Sequence, residues 1–404
     1  MKWHIILIFS LILSGCQVSQ EITVVTNRPS LLAYSDLYHK NQNSRILKII
    51  YSKNPITEMD KQNQPDLIIS NTVLEHQNLL KFEKINDLIP ESGEINKEFY
   101  QGLKKLGQIN NELRALPLNF TLPTVFFSQS NNQITIPEMF YSIDKLIDDS
   151  IKLNQMKNNR YQSIGYSPVH NQEIFYYISE LFGAHFSYNK VNSITWNDEN
   201  LDKSISFFNN WQTRLEQKLN DFYNNTVKYF NAPPYQLILE NTLGLYLYPS
   251  SILYKIPEEK LNNLDFRWLS RNEKIFIGDD IIAAGIPLQA KNKEGAKHFL
   301  KWYLSIESQE MILKSSYQKR LSEAGGFFNG FSVLKVINEK VLPNYNHRLL
   351  DKIPQEDFLQ FPEPFSPNWS EFKNSQLLPW LISALSIDEK EDKKPTDLLN
   401  FFKE

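Results

Sequence analysis

The sequence predicts an α/β protein with mainly parallel sheets, divided into two domains. Short apolar strands alternate with helical patterns in the first third of the chain. Several of those strands end in polar residues. The chain has 404 residues, more than one hydrophobic core usually holds.

The first strand is Ile22-Thr23-Val24-Val25-Thr26, β-branched and closed by Asn27. Leu31 to His39 reads as a short helix through Leu31, Leu32, Leu37 and Tyr38. Ile46 to Tyr51 is a second strand. Pro65-Asp66-Leu67-Ile68-Ile69-Ser70 is a third, apolar and short like a strand buried on both faces. Thr72 and Glu75 have the spacing of a capping box and predict a helix start. Parallel sheets bind ligands beyond the carboxyl ends of their strands. Asn27 and Asn71 are therefore candidate contacts.

Phe99 to Leu106 continues as a helix. Leu113 to Phe120, interrupted by Pro117, is extended and runs through Pro123 into Val125-Phe126-Phe127. That segment reads as a crossover between domains. Residues 137–265 are mostly helical by pattern. The clearest helix starts near Asn197, with Leu201, Ile205, Phe208, Leu215, Leu219 and Phe222 at spacings near a helical turn. Trp211 shares that face and reads as core. Gly244 to Tyr248 and Phe266 to Leu269 are short strands. Gly278-Asp279-Asp280 leads into a strand at Ile281 to Ile286. Asn292 then opens an amphipathic helix through Ala296, Phe299, Leu300, Tyr303 and Leu304. Ser305 caps the next helix, Glu307 to Leu313. Gly325 to Gly330 is another hinge-like loop. Asp388 to Lys394 reads as a solvated linker.

Much chemistry is absent from the pattern. The net charge of −3 gives no electrostatic footprint for nucleic acid. The seven histidines form no H-x-x-x-H or H-E-x-x-H pair, so no helical zinc site is expected. No G-x-S-x-G elbow, phosphate loop or dinucleotide fingerprint occurs. No cofactor is expected, and no enzyme. The aromatic share of 13% fits both a large core and a set of sugar-stacking rings.

Lys2, the apolar run Ile5 to Leu13, and the single cysteine Cys16 after Leu13-Ser14-Gly15 stand together. The run is about half the ~20 residues of a membrane-spanning helix and has signal-peptide proportions. This start resembles a bacterial lipoprotein signal with its lipobox. The resemblance implies cleavage before Cys16, lipid on Cys16, and an exported body tethered at the cell envelope. A sole cysteine, once lipidated, leaves none for a disulfide.

Five separated segments resemble the extracellular solute-binding proteins of ABC importers, in the carbohydrate branch typified by maltose-binding protein. They are the lipobox with its following strand, Pro65–Ser70, Leu113–Phe120, Asn241–Ser251 and Gly285–Ile312. The last is the strongest, with Ala296, Phe299, Leu300, Trp302 to Leu304, Ser305, Glu307 and Gln309 in the family's order. Asn241-Thr242-Leu243-Gly244 departs from the family's Gly-Lys. The resemblance implies a two-lobed periplasmic-binding-protein fold of type II. The expected division is signal 1–15, tether 16–20, first lobe 21–120 plus 279–322, and second lobe 124–276 plus 327–404. Hinge crossings are expected near Asn119–Thr124, Phe276–Asp279 and Ser322–Phe327.

Asn119, Asp279 and Asp280 join Asn27 and Asn71 as candidate contacts, since amides and carboxylates take paired sugar hydroxyls. Phe120, Tyr246 and Tyr248 are candidate stacking platforms, as are Tyr235 and Trp369 on proline-shaped loops. The function implied is capture of a mono- or oligosaccharide for an ABC permease, by a monomer moored through its lipid. The alternative is a surface lipoprotein of the same fold acting as a sensor or host-interaction protein.

Overall fold

Five strands from three parts of the chain build the first sheet, in the order Ile46–Tyr51, Glu21–Thr26, Leu67–Ser70, Ala283–Gly285 and Leu116–Pro117. Glu21–Thr26 is parallel to both of its neighbours. Ala283–Gly285 is antiparallel to both of its own. The second sheet has the order Leu245–Pro249, Pro123–Ser128, Leu264–Ser270 and Phe140–Ser142. Here Pro123–Ser128 is antiparallel to its two neighbours, while Leu264–Ser270 is parallel to Phe140–Ser142. This computed structural model describes residues 21–42, 45–61, 64–134, 139–157, 160–168, 171–188, 194–215, 232–319 and 326–384. Cys16, the segments 1–15 and 16–20, and the chain beyond residue 384 lie outside them.

Both sheets thus run one way except for a single reversed strand. In each, the reversed strand is the first laid down after the chain arrives from the other lobe. The reason is geometric. An arriving strand begins at the hinge and runs outward, whereas the others end there. In each sheet the reversed strand lies second from one edge, so two of the four ladders of the first sheet and two of the three of the second are antiparallel, and both sheets mix parallel and antiparallel pairing.

Leu67–Ser70 and Pro123–Ser128 are buried along their whole length, which matches sheets covered on both faces. Asn292 caps the helix Lys293–Leu304 by accepting from Gly295 N at 3.0 Å. Ser305 caps Ile306–Gln318 by accepting from Ser308 N at 3.2 Å. Trp211 is a core residue, fully buried and stacked on Phe208 with ring centroids 6.3 Å apart. The expected Thr72–Glu75 capping box does not form. Glu75 turns instead toward Ser370, and the helix that follows is one turn, His76–Leu79.

The hinge packs three passes of chain side by side. Asn119–Phe120 pairs antiparallel with Phe331–Ser332. Leu118 N donates to Ile282 O at 2.8 Å, and Gly278 N to Thr121 O at 3.3 Å. The passes approach so closely that a Cβ on Gly330 would lie 2.5 Å from Phe120 O. Most of Ser322–Phe327 lies outside the described residues. Phe328 N donates to Tyr34 Oη at 2.7 Å and Tyr100 N to Val333 O at 3.2 Å, while Tyr254 Oη donates to Gly330 O at 3.5 Å and the Trp268 and Phe331 rings lie 5.8 Å apart, so this stretch packs against both lobes. Further along, Arg348 lies beside Asn262 and Lys352 beside Asp265 of the second lobe.

Candidate interlobe binding site

The strand ends converge on a cavity of about 320 Å3. The first lobe contributes Asn71 and Glu75, from the turn after Leu67–Ser70. The hinge contributes Thr121, Asp279 and Asp280. The second lobe contributes Glu173 and Tyr177, one turn apart on the helix Glu173–Phe182, with Ser251 after the strand Leu245–Pro249. A last wall comes from Phe365, Trp369 and Lys373. Trp369 and Lys373 are four apart on continuous helical backbone, so both face the same way.

Charges organise this wall. Lys373 Nζ lies 2.8 Å from Asp279 Oδ1 and 3.0 Å from Glu173 Oε2. It also stands 5.3 Å from the centre of the Tyr176 ring. Trp369 Nε1 donates to the other Asp279 oxygen at 2.7 Å. Burial alone would lower the Lys373 ammonium, but Asp279 and Glu173 outweigh it and hold its pKa above the usual range. Burial raises the Glu173 carboxyl; Lys373 opposes this, while Asp279 and Asp280 reinforce it. Asp280 is paired with Arg28 at 2.7 Å.

The two lobes touch along one rim. His76 N donates to Phe365 O at 3.1 Å, and Gln77 Nε2 to Asn368 Oδ1 at 2.9 Å. Ser370 N donates to Glu75 Oε1 at 3.4 Å. Burial pushes the Glu75 carboxyl up to about 7, against the hydrogen bonds from Ser370 and Gln77.

Asn71, Asp279, Asp280 and Trp369 all line the cavity. Asn27 stands behind them, its Nδ2 donating to Asn71 Oδ1 at 3.1 Å. Asn119 is buried in the hinge, where Oδ1 accepts from Ile282 N at 2.8 Å and Nδ2 donates to Phe328 O at 3.2 Å. Phe120 is buried between Tyr100 and Phe331. Tyr246 and Tyr248 share the half-buried face of their strand, ring centroids 4.5 Å apart. Tyr235 is the second residue of the helix Pro234–Leu239 and is half-buried against the core. None of these last five lines this cavity. Sequence reasoning missed Glu75, Thr121, Glu173, Tyr177, Ser251 and Lys373. One signal was present: Glu173 and Glu180 are acids in the otherwise apolar run EIFYYISELF.

Among the described residues, no group of three or more His, Cys, Asp or Glu is placed to hold a metal ion. No described helix is long and apolar enough to cross a membrane. No family model and no curated protein matches the sequence. Solved structures do match. An ABC substrate-binding protein from Listeria monocytogenes, in complex with cycloalternan, superposes with a TM-score of 0.65 at 11% identity, covering 94% of this chain and 97% of that one. The chain has the type II two-lobed binding-protein fold. The maltose-binding periplasmic protein of Listeria monocytogenes, in complex with maltose, gives 0.66 at 13% identity over 94% and 96% of the two chains. The GacH receptor of Streptomyces glaucescens, described unliganded and with acarbose, gives 0.65 at 12% identity over 95% and 97%.

Proposed function

We propose that this chain is an exported binding protein that captures a carbohydrate between its lobes and delivers it to an ABC permease. The observation that carries the reading is the cavity itself, walled by both lobes and by two hinge passes. A solute there touches both lobes only when they are together, so it shifts a two-state equilibrium toward closure. The wall suits a polyhydroxylated solute: Asn71, Thr121, Ser251 and Asp280 supply donors and acceptors, and Trp369 supplies a ring. The volume lies near the small end of ligand pockets, at roughly 300–1,000 Å3. The solved structures of the same fold are titled as complexes with maltose, cycloalternan and acarbose.

Thermal-shift screening of the protein against mono- and oligosaccharides tests the reading. A ligand at one hundred times its Kd should stabilise the fold by about 2.7 kcal/mol. No shift with any sugar rejects it. The sugar should be returned unaltered after incubation, because the reading is capture without turnover. The proposed anchor is Cys16, and the proposed state is a monomer. Cys16→Ser should release the protein from membranes. Membrane fractionation of that variant unchanged from wild type rejects the anchor.

A further inference from the structure

The cavity wall carries an excess of carboxylates. Glu75, Glu173, Asp279 and Asp280 line it, against the single ammonium of Lys373. Lys373 is shared between Glu173 and Asp279, and Arg28 reaches Asp280 from beside the cavity. Glu75 is left over. It is 7% exposed, and among the described residues no lysine or arginine is ion-paired with it. Among the described residues its side-chain hydrogen bonds come from neutral groups, namely Ser370 N, Gln77 and Asn78. The nearby charge of Glu371 is negative and pushes its carboxyl further up. The other ionisable groups around the cavity are Glu173 and Tyr177 on the second-lobe helix, Asp279 and Asp280 on the hinge, and Lys373. His76 follows Glu75 on its own segment.

A buried carboxylate without a cation is costly, and the cost is relieved either by a proton or by a partner that brings positive charge. The first lobe holds this carboxylate at the rim where the second lobe meets it. We propose that the cleft selects a cationic carbohydrate, an amino sugar with a free ammonium, and that Glu75 is the residue that reads the ammonium. The inference rests on the carbohydrate reading and narrows it. The sugar hydroxyls meet the neutral wall, and the ammonium completes the charge pairing that the protein leaves open. Glu75 then discriminates between a free amine and its N-acetyl form, which has no charge to offer.

The binding step has a proton balance. Glu75 gives up its proton as the ammonium arrives, so affinity rises with pH while the carboxyl is still partly protonated.

The test is calorimetric titration of the full chain with three sets of probes. The first is glucosamine and its β-1,4 disaccharide. The second is their N-acetyl forms with glucose and cellobiose. The third is spermidine, a cation without hydroxyls. The first set should bind at least about tenfold more tightly than the second, the scale of a hydrogen bond to a charged group. Between about pH 5.5 and 7 its affinity should rise with pH, by up to about tenfold per unit for one proton released. Glu75→Gln, checked for an unchanged unliganded melting temperature, should abolish both the preference and the pH dependence. Should Glu75→Gln fold poorly, Glu75→Asp, which keeps the charge, should retain the preference. Neutral sugars binding as tightly as the amino sugars overturns this inference and leaves the carbohydrate reading standing. Binding of spermidine alone overturns both, and binding of no probe overturns this inference, while the wider sugar screen decides the carbohydrate reading.

Discussion

Lys373 and Asp279 meet at 2.8 Å in the wall of the cleft, with side chains only 9% and 8% exposed. Such a pair adds little as a pair, because desolvation offsets its attraction, but removing one partner strands the other. Lys373→Met should therefore destabilise the protein by about 3–5 kcal/mol in denaturant unfolding. Adding Asp279→Asn should recover part of the loss, and a single-variant loss near zero contradicts the account. The Lys373 pKa is raised above its unfolded value. Its contribution is then complete at neutral pH and is lost only as pH rises through that raised value.

Two asparagines that look alike in sequence should separate in experiment. Asn119 satisfies Ile282 N and Phe328 O and so ties the three hinge passes together. Asn119→Ala leaves both backbone groups unpaired in a buried place, at about 1–3 kcal/mol each. Asn71 is half-buried, lines the cavity, and accepts from the Asn27 side chain. Asn71→Ala should weaken ligand binding with a stability change within about 1 kcal/mol. Unfolding and binding curves on the two variants check this. A large stability loss at Asn71 with none at Asn119 would reverse the assignment.

The contrast shows what the sequence could disclose. Strands and their order of use were legible, because Val24, Ile68 and Phe126 carry the burial of a two-faced sheet in their side chains. The caps at Asn292 and Ser305 were legible because capping is local. Asn27, Asn71, Asp279 and Asp280 follow from strand ends and crossings. Position past a strand does not fix orientation, so Asn119 pointed into the hinge while Asn71 faced the cavity. Lys373 and Glu173 meet across 200 residues, and no local pattern announces such a pair. Glu75 was misread for the same reason. Its spacing from Thr72 suits a cap, but Ser370 from the other lobe is its partner.

Stability should depend on pH in an unusual direction. Glu180 is buried in the helix Glu173–Phe182, where burial pushes its carboxyl up to about 8 against the Phe186 N–H. Glu363 and Asp279 push it further. The unfolded chain loses this proton near the ordinary value of 4.5. Between those limits the folded state holds more protons, so stability falls as pH rises from about 4.5 to about 8. Glu75 and Glu173 act with the same sign. Urea midpoints of the unliganded protein at several pH values should decline across that window. Glu180→Gln keeps an acceptor for Phe186 N and should flatten the decline. A wild-type midpoint that rises with pH contradicts the burial of this carboxyl.

Asp280 offers the cleanest separation of binding from folding. Its side chain is 62% exposed and its partner Arg28 is 30% exposed. A surface pair of this kind is worth about 0.2–1 kcal/mol, so Asp280→Ala should leave the melting temperature nearly unchanged. Its position argues for a larger role in capture. Arg28 follows the first strand of one lobe, while Asp280 lies on a hinge pass and lines the cavity. A carboxylate held there by one guanidinium keeps lone pairs for ligand hydroxyls. Losing one charge-assisted hydrogen bond to the ligand lowers affinity by about tenfold or more. Arg28→Ala should weaken binding less, because it removes the support and leaves the acceptor. Equal affinity for wild type and Asp280→Ala removes Asp280 from the contacts. A large fall in melting temperature would make it a structural residue of the hinge.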